Sequence, residues 1–271
     1  MHIDTKQCAK LASSWIEQFN RILNAETKKI DKTSSLFLSE SFWRDALALT
    51  WQLETIVGGK KIENAFFEKA NKINMSNIFL DDVASPPQIV NRAGIDTVEA
   101  FIKFQTKHAN CIGIVRLCQT RHTIAKGKNI PIWRAWTFFT AIDSLKGYEE
   151  KIGRNRPTGN SYSIDFRGQN WLDRRIEAQA YQDREPTVLV VGGGQAGLSI
   201  AARMTQLGID TLIVDKNSQI GDNWRNRYHA LTLHNQLHVN HLPYMPFPST
   251  WPVYIPKDML ALWFESYVAA M

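Results

Sequence analysis

The sequence predicts an α+β domain over residues 1–150 and a strand, helix, strand (βαβ) unit of the α/β class over residues 186–271. Two observations carry this prediction. In the first part of the chain, helical apolar patterns are followed by a run of strand-like segments. In the second part, a short apolar segment ends in three glycines, and a helical pattern and another apolar segment follow. A chain of 271 residues with 44% hydrophobic residues can fill both cores.

Three amphipathic helices are predicted near the start of the chain. Apolar residues recur there at helical spacing in three segments, and two adjacent glycines separate the second segment from the third. The apolar positions are Leu11, Trp15, Phe19 and Ile22, then Phe42, Ala46 and Leu49, then Ile62, Phe66, Ala70 and Ile73.

Four strand-like segments follow these helices before residue 150. Each is rich in aromatic or β-branched residues and is bounded by polar residues, proline or glycine. The segments are SNIFLDDVA, VEAFIKFQTKHA, CIGIVRLCQTRH and IPIWRAWTFFTAID. Helices followed by strands favour helices packed on one side of a curved antiparallel sheet.

Residues 151–185 are predicted to be a linker. The stretch contains glycines, a proline and many charges, and its one predicted helix lies around WLDRRIEAQAY.

The second domain opens with a glycine motif in a specific context. The apolar strand TVLVV leads into Gly192, Gly194 and Gly197, which complete the pattern GxGxxG, and the helix LSIAARMTQLG and the strand TLIVD follow. In such a unit the first glycine allows a sharp turn, the second admits a pyrophosphate and the third lets the helix lie close to the strand. Asp215 ends the second strand, 18 residues after Gly197. A carboxylate there can accept hydrogen bonds from both ribose hydroxyls and repels a 2′-phosphate, so the unit is predicted to bind FAD or NAD rather than NADP.

Composition argues against several other classes of protein. The net charge of +6 is spread over basic residues that alternate with acids, so nucleic acid is not predicted as a partner. No apolar run reaches the length of a membrane span, and the start of the chain lacks the pattern of a secretory signal, so neither a membrane nor export is predicted and the expected location is cytoplasmic. The three cysteines have no metal-site spacing, so no metal is predicted.

The residues after Asp215 resemble the FAD-binding half of flavin-dependent monooxygenases, in particular the YUCCA-like branch and its fungal and bacterial relatives. The resemblance rests on the Trp-Arg segment from Gly221 to Arg225, on LTLHN at 231–235 and on the segment from Leu242 to Pro248. Many relatives have two glycines where this chain has Gly221 and Asp222.

This resemblance implies roles for eleven residues and two cofactors. It implies that the glycine loop holds the FAD pyrophosphate, that Asp215 holds the adenosine ribose and that Asn223 and Trp224 lie along the pyrophosphate-to-ribityl stretch. His234 and Asn235 match the segment that approaches the flavin ring. The loop residues are Gly192, Gly193, Gly194, Gln195, Ala196 and Gly197. The implied chemistry is reduction of FAD by NADPH, formation of a flavin hydroperoxide and transfer of one oxygen atom to a small organic substrate. No catalytic acid or base is assigned, and His229, His238 and His241 are interpreted as surface or core histidines.

The first domain resembles the NTF2-like (SnoaL-like) cone that some of these proteins carry ahead of the flavin domain. The resemblance is carried by the segments ESFWRDALALTW and SLKGYEEKIG. Such a cone can enclose a catalytic pocket, for which Asp45, His108 and His122 are candidates by residue type. A packed cone that serves for docking or homodimer formation is the favoured alternative.

The α/β unit is expected to be incomplete. The chain holds no second GxGxxG for NADPH and no FxGxxxHxxx(Y/F) fingerprint, and it ends within a predicted helix. We therefore expect an N-terminal fragment of such an enzyme, with exposed apolar surface, weak FAD binding at most and no turnover of NADPH by itself. Two alternatives remain: another two-dinucleotide flavin reductase or dehydrogenase, and a non-catalytic NTF2-like binding protein.

Overall fold

The structure, a computed structural model, describes residues 4–25, 36–81, 83–123, 129–157 and 167–271, with the backbone alone at 121–123, 129 and 130. The chain divides into two compact units, Met1–Tyr148 and Glu149–Met271. The predicted domain boundaries at 150 and 185 stay predictions.

The first unit packs two helices against a seven-stranded sheet. The described strands lie in the order β2-β1-β7-β6-β5-β3, and β4 also pairs with β5. The elements are α1 (Thr5–Leu23), β1 (Phe37–Ala46), β2 (Leu53–Val57), α2 (Gly59–Lys72), β3 (Phe79–Leu80), β4 (Gln88–Arg92), β5 (Ile95–Gln105), β6 (Ala109–Thr123) and β7 (Asn129–Leu145). The predicted α+β architecture is confirmed, but the sheet is mixed because β1 runs parallel to β7.

The first and third predicted helices are confirmed as α1 and α2. Asp4 and Gln7 form a reciprocal capping box that fixes the start of α1, and the apolar face of that helix is buried. The helix predicted over Phe42 to Leu49 is wrong, because the residues from Phe42 to Ala46 form the second half of β1. Trp43 and Asp45 are buried, whereas Phe42 before them and Arg44 between them are exposed, so burial here has the period of two that belongs to a strand.

Aromatic rings fill the core between the helices and the sheet. Phe138 on β7 lies with its ring centroid 5.8 Å from that of Trp15 and 5.4 Å from that of Phe66. Phe19 and Phe37 complete the contacts around Phe138, at 6.0 and 5.9 Å. Ring pairs at these separations add to the free energy of simple apolar burial.

The second unit contains the predicted βαβ arrangement. Val188 to Val191 pair in parallel with Thr211 to Val214, and a helix connects the two strands. The elements are α3 (Trp171–Ala180), β8 (Val188–Val191), α4 (Gln195–Gln206), β9 (Thr211–Val214), α5 (Asp222–Arg225) and α6 (Lys257–Ala270), with short 3-10 turns at Gly153–Asn155 and Leu237–Val239.

The helix predicted within residues 151–185 is confirmed as α3. The Tyr181 hydroxyl, just after α3, donates to Asp210 Oδ1 at 2.7 Å, and Arg175 on α3 donates to the Val268 carbonyl. The described part of this stretch therefore packs against the rest of the second unit.

One face of the two parallel strands is exposed. Leu189 is 56% exposed and Val191 is 83% exposed, whereas Val190 on the other face contacts the start of α4 near Gly197. The prediction that β8 is buried is thus wrong for the face of Leu189 and Val191. Parallel strands are buried when other elements pack on both faces of the sheet, and among the described residues α4 packs on the face of Val190.

None of the described helices combines the length and the apolar character that crossing a membrane requires.

Candidate dinucleotide-binding site

The turn after β8 is built so that only glycine fits at two of its positions. Gly192 has a φ of +111°, in the region that side chains avoid. A Cβ on Gly197 would lie 1.9 Å from the carbonyl oxygen of Gly192 and 3.2 Å from Cγ1 of Val190. The first turn of α4 therefore packs directly on the backbone of the loop.

The N-terminus of α4 has free hydrogen-bonding capacity. Gly194 is its N-cap, and no side chain caps the helix there. Gln195 and Ala196 are exposed at the first positions of α4. The leading N–H groups of a helix lack partners within it and carry the positive end of its dipole, so this end can receive an anion such as a phosphate.

Asp215 lies directly beside this loop. Its Oδ2 accepts a hydrogen bond from the backbone N–H of Gly193 at 2.6 Å. Its Oδ1 accepts from both the backbone N–H and the Nδ2 of Asn217, at 2.7 and 2.9 Å. Hydrogen bonds from the backbone of Asn217 and then of Gly193 hold the pKa of Asp215 below its ordinary value.

Two parts of this arrangement were missed by the reasoning from sequence. Asn217 was not singled out, although an aspartate at the start of a turn often accepts from the backbone N–H two residues later, as Asp215 does from Asn217. Gly193 was assigned only as part of the loop, yet a Cβ on it would lie 2.7 Å from Cδ1 of Ile220. The triple glycine is the one signal in the sequence for that contact.

Asn223 lies on the other side of the loop and Trp224 is its neighbour on α5. The Nδ2 of Asn223 is 3.1 Å from the position that a Cβ on Gly194 would take. The Oδ1 of Asn223 and the Nε1 of Trp224 are both buried, and neither has a hydrogen-bond partner among the described residues. Buried polar atoms in folded proteins usually have a partner, so these two atoms indicate a ligand or water at this place. The position of α5 is fixed through Gly221, which has a φ of +90° and packs on the Ala261 carbonyl of α6.

The residues predicted for the flavin end of the site lie in an exposed bend. His234 and Asn235 are both exposed, at a bend before the 3-10 turn Leu237–Val239. The Asn235 carbonyl accepts a hydrogen bond from Nδ2 of Asn240 at 3.3 Å. Their assignment to the flavin ring stays a prediction.

The other histidines have no shared site in the described geometry. His229 and His238 are exposed. His241 has a local structural contact, since its Nδ1 accepts from the backbone N–H of Phe247 at 3.0 Å.

The catalytic candidates in the first unit do not converge. Asp45 is buried, and its Oδ2 accepts from the backbone N–H groups of Leu49 and Thr50 and from the Thr50 hydroxyl. Its Oδ1 accepts from the Thr140 hydroxyl at 2.5 Å. Asp45 is therefore satisfied by its own chain, whereas His108 is exposed and the side chain of His122 lies outside the described part.

The cysteines and acidic residues do not form a metal centre in the described ranges. No group of three or more histidine, cysteine, aspartate or glutamate side chains comes together there. The three cysteines are buried free thiols, and burial raises the pKa of Cys111 to about 12.

The glycine motif and the residues after it are similar to known proteins. Residues 190–248 match the family model of the NAD(P)-binding Rossmann-like domain. Indole-3-pyruvate monooxygenase YUCCA1 of Oryza sativa subsp. japonica is 34% identical over 100 residues, which cover 36% of this chain and 25% of that protein. The second unit is a relative of the flavin-dependent monooxygenases. An uncharacterized CzcO-like oxidoreductase of Geobacillus kaustophilus is 40% identical over 80 residues, 30% of this chain and 23% of that protein. The chain thus spans about a quarter of the length of these relatives.

Two solved structures also resemble parts of the chain. A mutant form of a flavin monooxygenase from Stenotrophomonas maltophilia covers 31% of this chain and 25% of its own at 26% identity and a TM-score of 0.29. An NTF2-like superfamily protein from Salmonella enterica covers 53% of this chain and 96% of its own at 16% identity and a TM-score of 0.33.

Proposed function

We propose that the second unit is the FAD-binding part of an NAD(P)H-using monooxygenase that oxygenates a small organic substrate. The observation that carries the proposal is that three features lie close together at the ends of β8 and β9. These are a helix N-terminus that no described side chain caps, the Asp215 carboxylate whose Oδ2 accepts from Gly193 N–H at 2.6 Å, and the buried Oδ1 of Asn223, which has no hydrogen-bond partner in the described part of the chain. Bound FAD would supply the acceptance of electrons from NAD(P)H and the activation of dioxygen.

The residues present fit the adenosine and pyrophosphate portions of this cofactor. The N–H groups at the start of α4 would bind the pyrophosphate, and no side chain obstructs it at Gly194. Asp215 would accept from the adenosine ribose, and its negative charge would repel a 2′-phosphate, so FAD is favoured over NADPH at this loop. The Asn223 Oδ1 would accept a hydrogen bond from a ligand hydroxyl.

We also propose a cytoplasmic location. The support is that Cys8, Cys111 and Cys118 are all free thiols, as is usual for proteins of reducing compartments.

The first test is the visible absorption spectrum of the purified chain after addition of excess FAD and removal of free cofactor. Because the loop and Asp215 are preformed, we expect flavin bands that remain with the protein, and thus tighter binding than the weak FAD binding expected from the sequence. Gly194→Trp is the control, since an indole at that position would fill the pyrophosphate path beside Asn223, and its bands should be absent. A wild-type chain that is folded by circular dichroism and colourless would contradict the assignment of FAD to this chain.

A second role, assembly of a homodimer, is favoured by the sheet face of the first unit that points away from the helices. Phe42, Leu53, Val57 and Phe79 lie on this face and are 41 to 66% exposed. The sheet is six strands across, because β3 and β4 both pair with the same edge of β5. Strands about 4.8 Å apart then make a face roughly 25 Å wide, enough for an interface of standard size. An NTF2-like first domain would use this face against the same face of a second copy, because two apolar sheet faces pack well on each other.

Phe42→Glu tests this homodimer. The substitution places a charge beside Val57, its cross-strand neighbour, and should raise the dimer dissociation constant at least about tenfold. Sedimentation velocity over a concentration series gives the constant. Val83→Glu is the matched control, because Val83 is 91% exposed outside the strands. A wild-type chain that sediments as a monomer at all concentrations would refute the homodimer.

A further inference from the structure

The carboxylate of Asp215 is held by more donors of its own chain than the reasoning from sequence anticipated. Asn217 supplies two of them, and both reach the same oxygen, Oδ1, at 2.7 and 2.9 Å. The third donor is the backbone N–H of Gly193, which reaches Oδ2. Asp215 thus joins the loop after β8 to the turn after β9.

These donors leave little free capacity on the carboxylate. An ionised carboxylate has about four acceptor positions, two on each oxygen. Asn217 uses both positions on Oδ1, and Gly193 uses one on Oδ2. The position that is left lies on Oδ2, the oxygen that faces the glycine loop.

Gly193 lies between Ile220 and Asp215. A Cβ added to Gly193 would come 2.7 Å from Cδ1 of Ile220 and 3.4 Å from Oδ2 of Asp215, so Asp215 approaches this part of the backbone closely because the residue is glycine. The carboxylate is therefore held on one side by the backbone N–H of Gly193 and on the other by Asn217.

We infer that Asn217 is a positioning residue for the adenosine end of the nucleotide site, because it saturates Oδ1 of Asp215 and directs the remaining acceptor on Oδ2 toward a single ribose hydroxyl. This inference rests on the proposed dinucleotide site. It narrows that proposal, since the carboxylate would accept one ribose hydroxyl rather than two while Asn217 stays in place.

The competing interpretation is that Asn217 only closes the turn between β9 and α5. The two interpretations differ in what they predict for ligand binding as a function of pH. A residue that only closes the turn would affect the stability of the second unit without changing how protonation of Asp215 limits binding. The backbone N–H groups of Asn217 and Gly193 are the main groups that lower the pKa of Asp215, and the side-chain amide of Asn217 lowers it further. A positioning residue therefore adds to keeping Asp215 ionised.

Calorimetric titration of the full chain with ADP, from neutral pH downward, tests the inference. Asn217→Ala should weaken ADP binding at neutral pH about three- to tenfold, because the carboxylate loses the amide that holds it in one orientation and keeps only the backbone N–H of residue 217 on Oδ1. The loss of binding at acidic pH should begin at a slightly higher pH than in the wild type, since one donor to the ionised carboxylate is gone. Asn217→Ser, which keeps a shorter donor, should recover part of both effects. Asn226→Ala is the matched control, because Asn226 is exposed and bonds through its backbone N–H to the Asp222 carbonyl.

The possible results separate the positioning role of Asn217 from the proposed dinucleotide site. A wild-type chain that binds ADP and an Asn217→Ala chain with the same affinity and the same pH profile would overturn the inference and leave the dinucleotide site standing. A folded wild-type chain that does not bind ADP would overturn both. If Asn217→Ala is less stable to urea, the Asn217→Ser variant decides, because unchanged affinity and an unchanged pH profile in that variant would also overturn the inference.

Discussion

Replacing Gly197 by alanine is expected to abolish detectable dinucleotide binding and to destabilise the second unit. The added Cβ would lie 1.9 Å from the carbonyl oxygen of Gly192, and the next nearest atom is the carbon of the same carbonyl, at 3.1 Å. A backbone group cannot rotate away as a side chain can, so α4 would have to move from the loop. We expect this movement to lower the free energy of unfolding of the second unit by about 3 kcal/mol or more. A loss of the same size in the free energy of binding corresponds to at least about a hundredfold loss of affinity for FAD or ADP.

Gly194→Ala is the matched comparison for this substitution. Its Cβ would meet Nδ2 of Asn223 at 3.1 Å, and the end of a side chain can give way by a few tenths of an ångström. We therefore expect a loss of affinity of about tenfold or less for Gly194→Ala. Calorimetric titration with ADP and urea unfolding of both variants measure the difference. Equal effects of the two substitutions would contradict the close packing of α4 on the loop.

The nucleotide loop was largely predictable from the sequence because its constraints are local. The glycine spacing, the helix after it and Asp215 at the end of the next strand all follow from backbone requirements within one βαβ unit. The contacts of Gly193 with Ile220 and of Asn223 with Gly194 were not predictable. They depend on how α5 returns to the loop, and that return is set by the packing of Gly221 on α6.

The first unit shows where sequence periodicity misleads. Phe42, Ala46 and Leu49 have helical spacing, but Phe42 is 41% exposed and the alternating residues Trp43 and Asp45 are buried. The alternation of apolar and polar residues that indicates a strand is not visible in the sequence here, because Asp45, one of the buried positions, is charged. The parallel pairing of β1 with β7 joins residues about 95 positions apart and leaves no local signal.

Asp45 also shows why residue type alone could not separate a catalytic role from a structural one. A buried carboxylate in a predicted cone suggests chemistry, yet four hydrogen bonds from its own chain occupy it. Two of these come from backbone N–H groups of the turn after β1. The Thr140 hydroxyl, which donates to Asp45, also accepts from Nε1 of Trp43 at 2.9 Å. Asp45 therefore links β1, β7 and the turn into one hydrogen-bonded network.

Asp45→Ala is accordingly expected to destabilise the first unit by about 3 kcal/mol or more. The substitution leaves the N–H groups of Leu49 and Thr50 without their acceptor, and each unsatisfied donor at a buried site costs about 1–3 kcal/mol. Asp45→Asn should also destabilise the unit, because its amide places a donor where the chain already supplies donors. Urea unfolding followed by circular dichroism measures both variants.

Asp96→Ala is the control for this change, because Asp96 is exposed and its side chain accepts from Nδ2 of Asn91 at the surface. Its effect should stay within about 0.5 kcal/mol. A catalytic Asp45 would behave differently, since groups held for chemistry are often under-satisfied and their removal can leave stability unchanged or raise it. An Asp45→Ala chain as stable as the wild type would therefore return Asp45 to the catalytic candidates, whereas a large loss of stability assigns it to holding the sheet and the turn together.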